Sequence, residues 1–452
     1  MKSQFVIAAA STGAGKTTLT LGLLRAFRRK GYVVQPFKCG PDFIDPIHHS
    51  TAAGRDSINL DRFMMSDHHI RELYHRYSAD ADIAITEGVM GLFDGSVKDK
   101  GSAADLAKLL GLPVVVVLDA SAMAYSAAAI LYGLRHFDPA VHIAGVVFNF
   151  VDTAGHYNIL KDAAADAGVA ALGYLPRIGL HIPSRYLGLD TADAESAIET
   201  AADAVGGQLD LEKWLRLTAV ATETSASNTQ SFAPDPHASA SSTRSSASGV
   251  HASTSGKHTI LIAKDAAFHF LYPENIRALA DRGDLHYFSP LRDLEFPVKP
   301  DLVYLPGGYP ELYLTQLAGN DTLISMLRRY AESGGKILAE CGGMMYLGRS
   351  ITDSAGKSHP MAGILDIATS MQQGSLSIGY RSVPLPGGVA RGHEFHQSGL
   401  TDGHAHAGIR KALTARSEEV SMPVFLTPVV LASYMHFYWG EDKGFLDDWL
   451  GL

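Results

Sequence analysis

Apolar residues in the first half of the chain fall in short unbroken runs, separated by stretches of helical spacing. "FVIAAA", "YVVQPFK", "IAITEG", "PVVVVLDA" and "IAGVVFN" are continuous in hydrophobicity rather than alternating, the pattern of parallel strands covered on both faces. Between the first two, "TTLTLGLLRAFRRKG" repeats apolar positions at helical spacing and ends on Gly31, which predicts a helix. Strands alternating with helices predict a doubly wound α/β sheet, where ligands bind beyond the carboxyl ends of the strands. The rhythm is lost from Ala221 to Lys257, where 16 of 37 residues are Ser or Thr and only Phe232 and Val250 are large and apolar. Such a segment buries too little surface to offset its ordering entropy, so 220–257 is expected to be a flexible linker. The first unit then covers 1–219. After the linker the pattern resumes with "TILIAKD", "LVYLPGGYPEL", "GKILAECGGMMYLG" and "VVLASYMHFYW", a second α/β unit over 258–452 with antiparallel hairpin material between Gly374 and His396.

Length and composition agree with this division. The 452 residues suggest two domains of about 200 residues each. A net charge of -9 offers no basic footprint for nucleic acid. The most apolar stretch, "LLGLPVVVVLDASAMAYSAAAIL", is interrupted by Pro113 and Asp119, so no membrane span is expected. The N-terminal "MKSQFVIAAAS" is too short in its apolar part for a secretory leader and runs straight into Gly-Lys-Thr. The only two cysteines, Cys39 and Cys341, lie in different units, usage that fits a reducing, cytoplasmic compartment and leaves each a candidate nucleophile.

The predicted loop between the first strand and first helix, Ser11 to Thr17, carries Gly13, Gly15, Lys16 and Thr17, with Thr18 next to them. A glycine-rich turn in this setting points backbone N–H groups at phosphate. Lys16 would hold the phosphates of ATP and Thr17 would take Mg²⁺. Ala10 stands where the strict pattern has glycine. Glu87 and Asp119 end later strands, where a carboxylate would face the metal, Glu87 being the better placed. The loop "FKCGPDFIDPIHH" adds Lys38, Asp42 and Asp45 beside the phosphates, with Asp45 a further metal candidate; Pro, Gly and Asp there also suit plain turn chemistry. Asn149 sits at another strand end, where an amide could read a base edge. His48 and His49 are adjacent, so they point apart, and are expected to be two partly exposed histidines. "GHEFHQ" is one residue short of H-E-x-x-H, which argues against zinc hydrolysis.

In the second unit Cys341 lies on the turn between a buried strand and a helical run, followed by Gly342 and Gly343. This is the setting of a nucleophile elbow, whose N–H groups face a developing oxyanion. "LPGGYPEL" offers a second glycine-rich strand end; N–H groups at Gly308 and Gly342 are the oxyanion candidates. His436 could take the thiol proton.

Taken together, "STGAGKTT", "QPFKCGPDFIDPIHH", "NLDRFM", "EGVMGLFDG", "LPGGYPEL", "AECGGMMYLG", "GHEFHQS" and "YMHFYW" resemble the cobyrinate a,c-diamide synthase family from end to end except at the linker. The resemblance implies an ATP- and glutamine-dependent ligase of corrin assembly, with a class I glutaminase domain after a P-loop synthetase domain. It implies Cys341 as nucleophile, His436 as base, Lys16, Thr17 and Glu87 around ATP and Mg²⁺, and Asp42 and Asp45 toward a corrinoid carboxylate. Where related glutaminases carry an acid two positions after the histidine, this chain has Tyr438, so the partner orienting His436 is open. Metal-free hydrogenobyrinate and nickel-sirohydrochlorin enzymes, and cobyric acid synthase, are alternatives within the ligases. A positioning ATPase switch is the alternative outside them, although Ser11 stands where its signature lysine would be. A homo-oligomer is also open.

Overall fold

In a computed structural model, the structure describes residues 2–179, 191–220, 258–402 apart from 373 and 375, and 409–451 apart from 443. All but the first residue of the predicted linker, 221–257, therefore lies outside the described residues.

The first unit is built on seven parallel strands: β1 (Lys2–Ala9), β2 (Val34–Cys39), β3 (Ile58–Leu60), β4 (Ile83–Glu87), β5 (Val114–Asp119), β6 (Ile143–Asn149) and β7 (Ala171–Leu175). Their order across the sheet is β3-β2-β4-β1-β5-β6-β7, and a short β8 (Ala219–Val220) pairs antiparallel with the start of β1. Helices cover both faces, which is why β4 and β6 are buried at every position and β5 at all but its last. Helix α1 (Lys16–Arg29) starts at Gly15, whose φ of 94° places it in the left-handed region, and Gly31 (φ 89°) follows its end. Helix α2 (Ile44–Ala53) follows β2.

In the second unit, β9 (His258–Ala263), β10 (Gly283–Phe288), β11 (Leu302–Leu305) and β12 (Lys336–Glu340) are parallel. Strands β13 (Ser350–Thr352), β14 (Ser358–Pro360) and β15 (Ala368–Ser370) form a small sheet with β18 (Gly399–Asp402). The predicted hairpin material is β16 (Ser377–Leu385) and β17 (Gly388–His396), paired in register from Ser377↔His396 to Leu385↔Gly388. Strands β19 (Ile409–Thr414), β20 (Glu419–Leu426), β21 (Val430–Ser433) and β22 (Met435–Phe437) complete a ten-stranded sheet of order β10-β9-β11-β12-β21-β20-β19-β16-β17-β22. The run "VVLASYMHFYW" is thus split at Tyr434. Its first half pairs parallel with β12 and its second antiparallel with β17, which carries His436 opposite His393.

The two units share a core. Phe270, Tyr272 and Tyr438 of the second pack in one apolar cluster with Phe37, Phe43 and Met64 of the first. Among the described residues no helix is long and apolar enough to cross a membrane.

Candidate active site

Strand ends of the first unit converge on a polar centre. Gly13 (φ 83°) and Gly15 supply the left-handed turns of the loop, and Lys16 donates to the Met90 carbonyl at 2.6 Å. Burial lowers the pKa of this lysine. Thr17 donates to Glu87 at 2.8 Å and to Asp45 at 3.3 Å, while Thr18 is partly buried on the next position of the helix. Lys38, almost wholly buried, reaches Glu87 at 3.1 Å and Asp42 at 3.3 Å and also pairs with Asp45. Burial opposes its charge, but the three carboxylates outweigh that and raise the ammonium well above its usual range. Burial likewise pushes Asp45 up to about 7 against the pull of Lys38. Glu87 is held below the usual carboxylate range because Lys38 and a hydrogen bond from His49 outweigh its burial. Thr17, Glu87 and Asp45 bring hard oxygen atoms of the kind Mg²⁺ prefers to one point, which the Lys38 ammonium occupies here.

One expectation changes here. His48 and His49 are not partly exposed: both are buried, and His49 Nε2 lies 2.7 Å from Glu87 Oε2 while Nδ1 is 3.3 Å from Ser57. Covered on a wide arc, α2 buries adjacent positions that only point apart by about 100°. Asn149 is buried, and its amide donates to the Ala14 carbonyl at 2.9 Å, under the loop. A Cβ on Gly15 would lie 2.0 Å from that amide nitrogen, so the glycine is required by contact as well as by φ. Asp119 turns its carboxylate to Ser121 and takes no part in the Lys38 cluster. Cys39 is buried within β2, and that burial pushes its thiol up to about 12.

In the second unit Cys341 has φ 47° and ψ -108°, a conformation strongly disfavoured for a side chain-bearing residue, at the junction of β12 and the helix Gly342–Leu347. It is the strained strand-to-helix turn that the sequence predicted. A cleft before it is lined by Gly308, Tyr309, Glu311, Phe395 and His396. A Cβ on Gly342 would sit 3.3 Å from the Gly308 nitrogen, so the two oxyanion candidates adjoin. The imidazole of His436 packs on the preceding glycine: a Cβ on Gly307 would lie 2.2 Å from its Cε1. No hydrogen bond joins Cys341 to His436; the cysteine sulfur lies 3.9 Å from the Phe395 carbonyl. Burial pushes the Cys341 thiol up and the His436 imidazole well down, so both rest neutral. The "GHEFHQ" residues flank this centre. His393 stacks on His436 at 5.0 Å, and Glu394 pairs with His396 at 2.7 Å and Arg381 at 2.6 Å.

Sequence reasoning did not anticipate Phe43. It lies between Asp42 and Asp45 of the first centre, yet its ring reaches across to Phe270 at 4.9 Å, Tyr272 at 4.5 Å and His436 itself at 5.0 Å. Around it, Tyr380 donates to Asp61 at 2.6 Å, and Tyr438 hydrogen-bonds His69 at 2.8 Å.

A phosphate-loop centre of this shape joined to a cysteine elbow on an α/β sheet defines a glutamine amidotransferase fused to a nucleotide-binding domain. Residues 5–180 match the CobQ/CobB/MinD/ParA nucleotide binding domain, and residues 259–444 match the CobB/CobQ-like glutamine amidotransferase domain. The chain is 40% identical to a cobyrinate a,c-diamide synthase of Syntrophotalea carbinolica, over 98% of this chain and 96% of the relative. It is 38% identical to a hydrogenobyrinate a,c-diamide synthase of Brucella abortus, over 96% and 97%. It is 36% identical to a cobyrinate a,c-diamide synthase of Salmonella typhimurium, over 99% and 97%. The chain belongs to this family of a,c-diamide synthases.

Proposed function

We propose that the protein amidates the a and c acetate carboxylates of cobyrinic acid, with ATP as activator and glutamine as nitrogen donor. The observation that carries this reading is the joining of a phosphate-loop centre to a cysteine-turn centre in a chain 40% identical, over 98% of its length, to a cobyrinate a,c-diamide synthase; Phe43, in the first centre's carboxylate loop, packs on His436 of the second. Cys341 attacks the glutamine side-chain carbonyl; His436 takes the thiol proton and passes it to the departing ammonia. Water then resolves the thioester to glutamate, and N–H groups of Gly308 and Gly342 hold the oxyanion in both steps. In the first unit Lys16, with the N–H groups of Gly13, Gly15 and Thr18, binds the phosphates. Thr17, Glu87 and Asp45 would hold Mg²⁺, which neutralises phosphate charge when bound. Lys38 and Asp42 face the carboxylate that receives the γ-phosphoryl group. Ammonia attacks the resulting acyl phosphate and inorganic phosphate leaves, forming one amide per ATP.

Hydrogenobyrinate is the second reading of the substrate, because relatives named for that ring are as similar as those named for cobyrinate. Product masses after incubation with each ring, ATP, Mg²⁺ and glutamine decide between them. For the chemistry, Cys341→Ala should lose glutamine-driven synthesis and keep ammonium-driven synthesis at a pH that supplies free ammonia. Lys16→Ala should lose both. Equal loss with the two nitrogen donors in Cys341→Ala would overturn the nucleophile assignment.

A further inference from the structure

His436 is buried, and its Nδ1 has no hydrogen-bond partner. A buried imidazole acting as a base needs that nitrogen occupied. If Nδ1 carries the proton, Nε2 is left as the acceptor, and an acid beside Nδ1 fixes this tautomer. The position two residues on cannot supply the acid: it is Tyr438, whose hydroxyl is engaged by His69 of the other unit.

An acid reaches Nδ1 from a different place. Glu340, the residue immediately before Cys341, is 1% exposed, and its Oε2 lies 4.0 Å from His436 Nδ1. Its other oxygen accepts from Trp439 Nε1 at 3.2 Å, which fixes the carboxyl plane and leaves Oε2 on the histidine side. Trp439 is itself pinned, its backbone N–H donating to Asn275 at 2.6 Å while Asn275 donates to the Phe437 carbonyl at 2.7 Å. The Tyr304 hydroxyl and the Phe437 backbone N–H also donate to this carboxyl, so its orientation beside His436 is fixed on several sides.

The geometry points to Glu340 as the positioning acid of the glutaminase centre: its carboxylate accepts the Nδ1–H of His436 and leaves Nε2 free to take the Cys341 proton. The inference rests on the glutaminase reading above. The proton moves from sulfur to Nε2 and then to the departing ammonia, and the Glu340 carboxylate stabilises the imidazolium between those steps. Burial pushes Glu340 up to about 8, and the imidazolium is the neighbouring positive charge that would bring it down. The charged and titratable groups facing His436 from other strands are His393 and His396, both of which disfavour that imidazolium, and the one carboxyl approaching its Nδ1 is Glu340 at 4.0 Å.

The test compares full-length Glu340→Gln, Glu340→Asp and Cys341→Ala with glutamine and with ammonium as donors. Glu340→Gln should lower the glutamine-driven kcat by about 100-fold, since loss of the acid behind a catalytic histidine can cost more than that. Its KM for glutamine should stay within about twofold, and its ammonium-driven rate should be unchanged. Glu340→Asp keeps the charge and should retain more kcat than Glu340→Gln. Wild-type glutamine turnover in Glu340→Gln, with Cys341→Ala inactive, would overturn this role alone. So would equal losses with both donors, a rise confined to KM, or equal losses in the Gln and Asp variants. Glutamine turnover surviving in Cys341→Ala would overturn the underlying glutaminase reading.

Discussion

Gly307 lacks a side chain where the imidazole of His436 packs: a Cβ there would lie 2.2 Å from Cε1. Gly307→Ala should therefore displace the base and reduce glutamine-driven turnover at least tenfold, with ammonium-driven synthesis preserved; steady-state rates with both donors measure this. Glu340 gives a pH signature. Its carboxyl is raised to about 8 in the folded chain against roughly 4.3 when unfolded, so the folded state alone holds this proton between those values. The stability contributed is full below about pH 4 and is lost as pH rises through about 8. Glu340→Gln cannot ionise, so its melting temperature relative to wild type should climb from pH 5 to pH 8.5; a constant offset would count against this. At this scale the sequence was legible where a residue's neighbours along the chain decide its role, as in the glycines flanking Lys16 and the turn at Cys341. It failed where the partner is distant. The His49–Glu87 pair spans 38 residues, and the Glu340–His436 approach joins two strands, so neither leaves a spacing to read.

At the scale of elements, α1 aims the phosphate loop, and its packing is unusually close. A Cβ on Gly22 would stand 2.6 Å from the Ala201 carbonyl and 2.5 Å from Val205, on the helix Thr191–Gln208. Arg25 secures the same contact, pairing with Glu195 at 2.6 Å and with Glu199. Gly22→Ala should force these helices apart and cost about 1–3 kcal/mol, the usual range for overpacking. Thermal unfolding would register this as a lower melting temperature, and KM for ATP should rise because Lys16 and Thr17 begin the displaced helix. The strands were legible because both-face burial demands unbroken apolar runs, and β1, β2, β4, β5 and β6 follow those runs closely. The split of β21 from β22 was not legible. "VVLASYMHFYW" is apolar throughout, and only pairing to β12 on one part and β17 on the other divides it.

Across the whole molecule, the two units meet through aromatic contacts around Phe43 and through Tyr380–Asp61, His69–Tyr438 and Ser66–Glu441. Phe43→Leu keeps apolar volume and removes the ring that rests on His436. It should cost about 1 kcal/mol in stacking and raise the glutamate released above one per amide formed; parallel assays of glutamate and diamide measure the ratio. An unchanged ratio would confine Phe43 to packing. The division into two units was legible from the Ser/Thr-rich break, but this interface was not, because a lone Phe between two aspartates carries no periodic signal. Since Asp42 and Asp45 flank Phe43, a ligand that shifts this loop changes the surroundings of His436. Thermodynamic linkage then requires the reverse to the same degree: whatever factor the corrinoid adds to glutamine affinity, glutamine adds to corrinoid affinity. Two titrations, each with the other ligand held saturating, must return one coupling free energy.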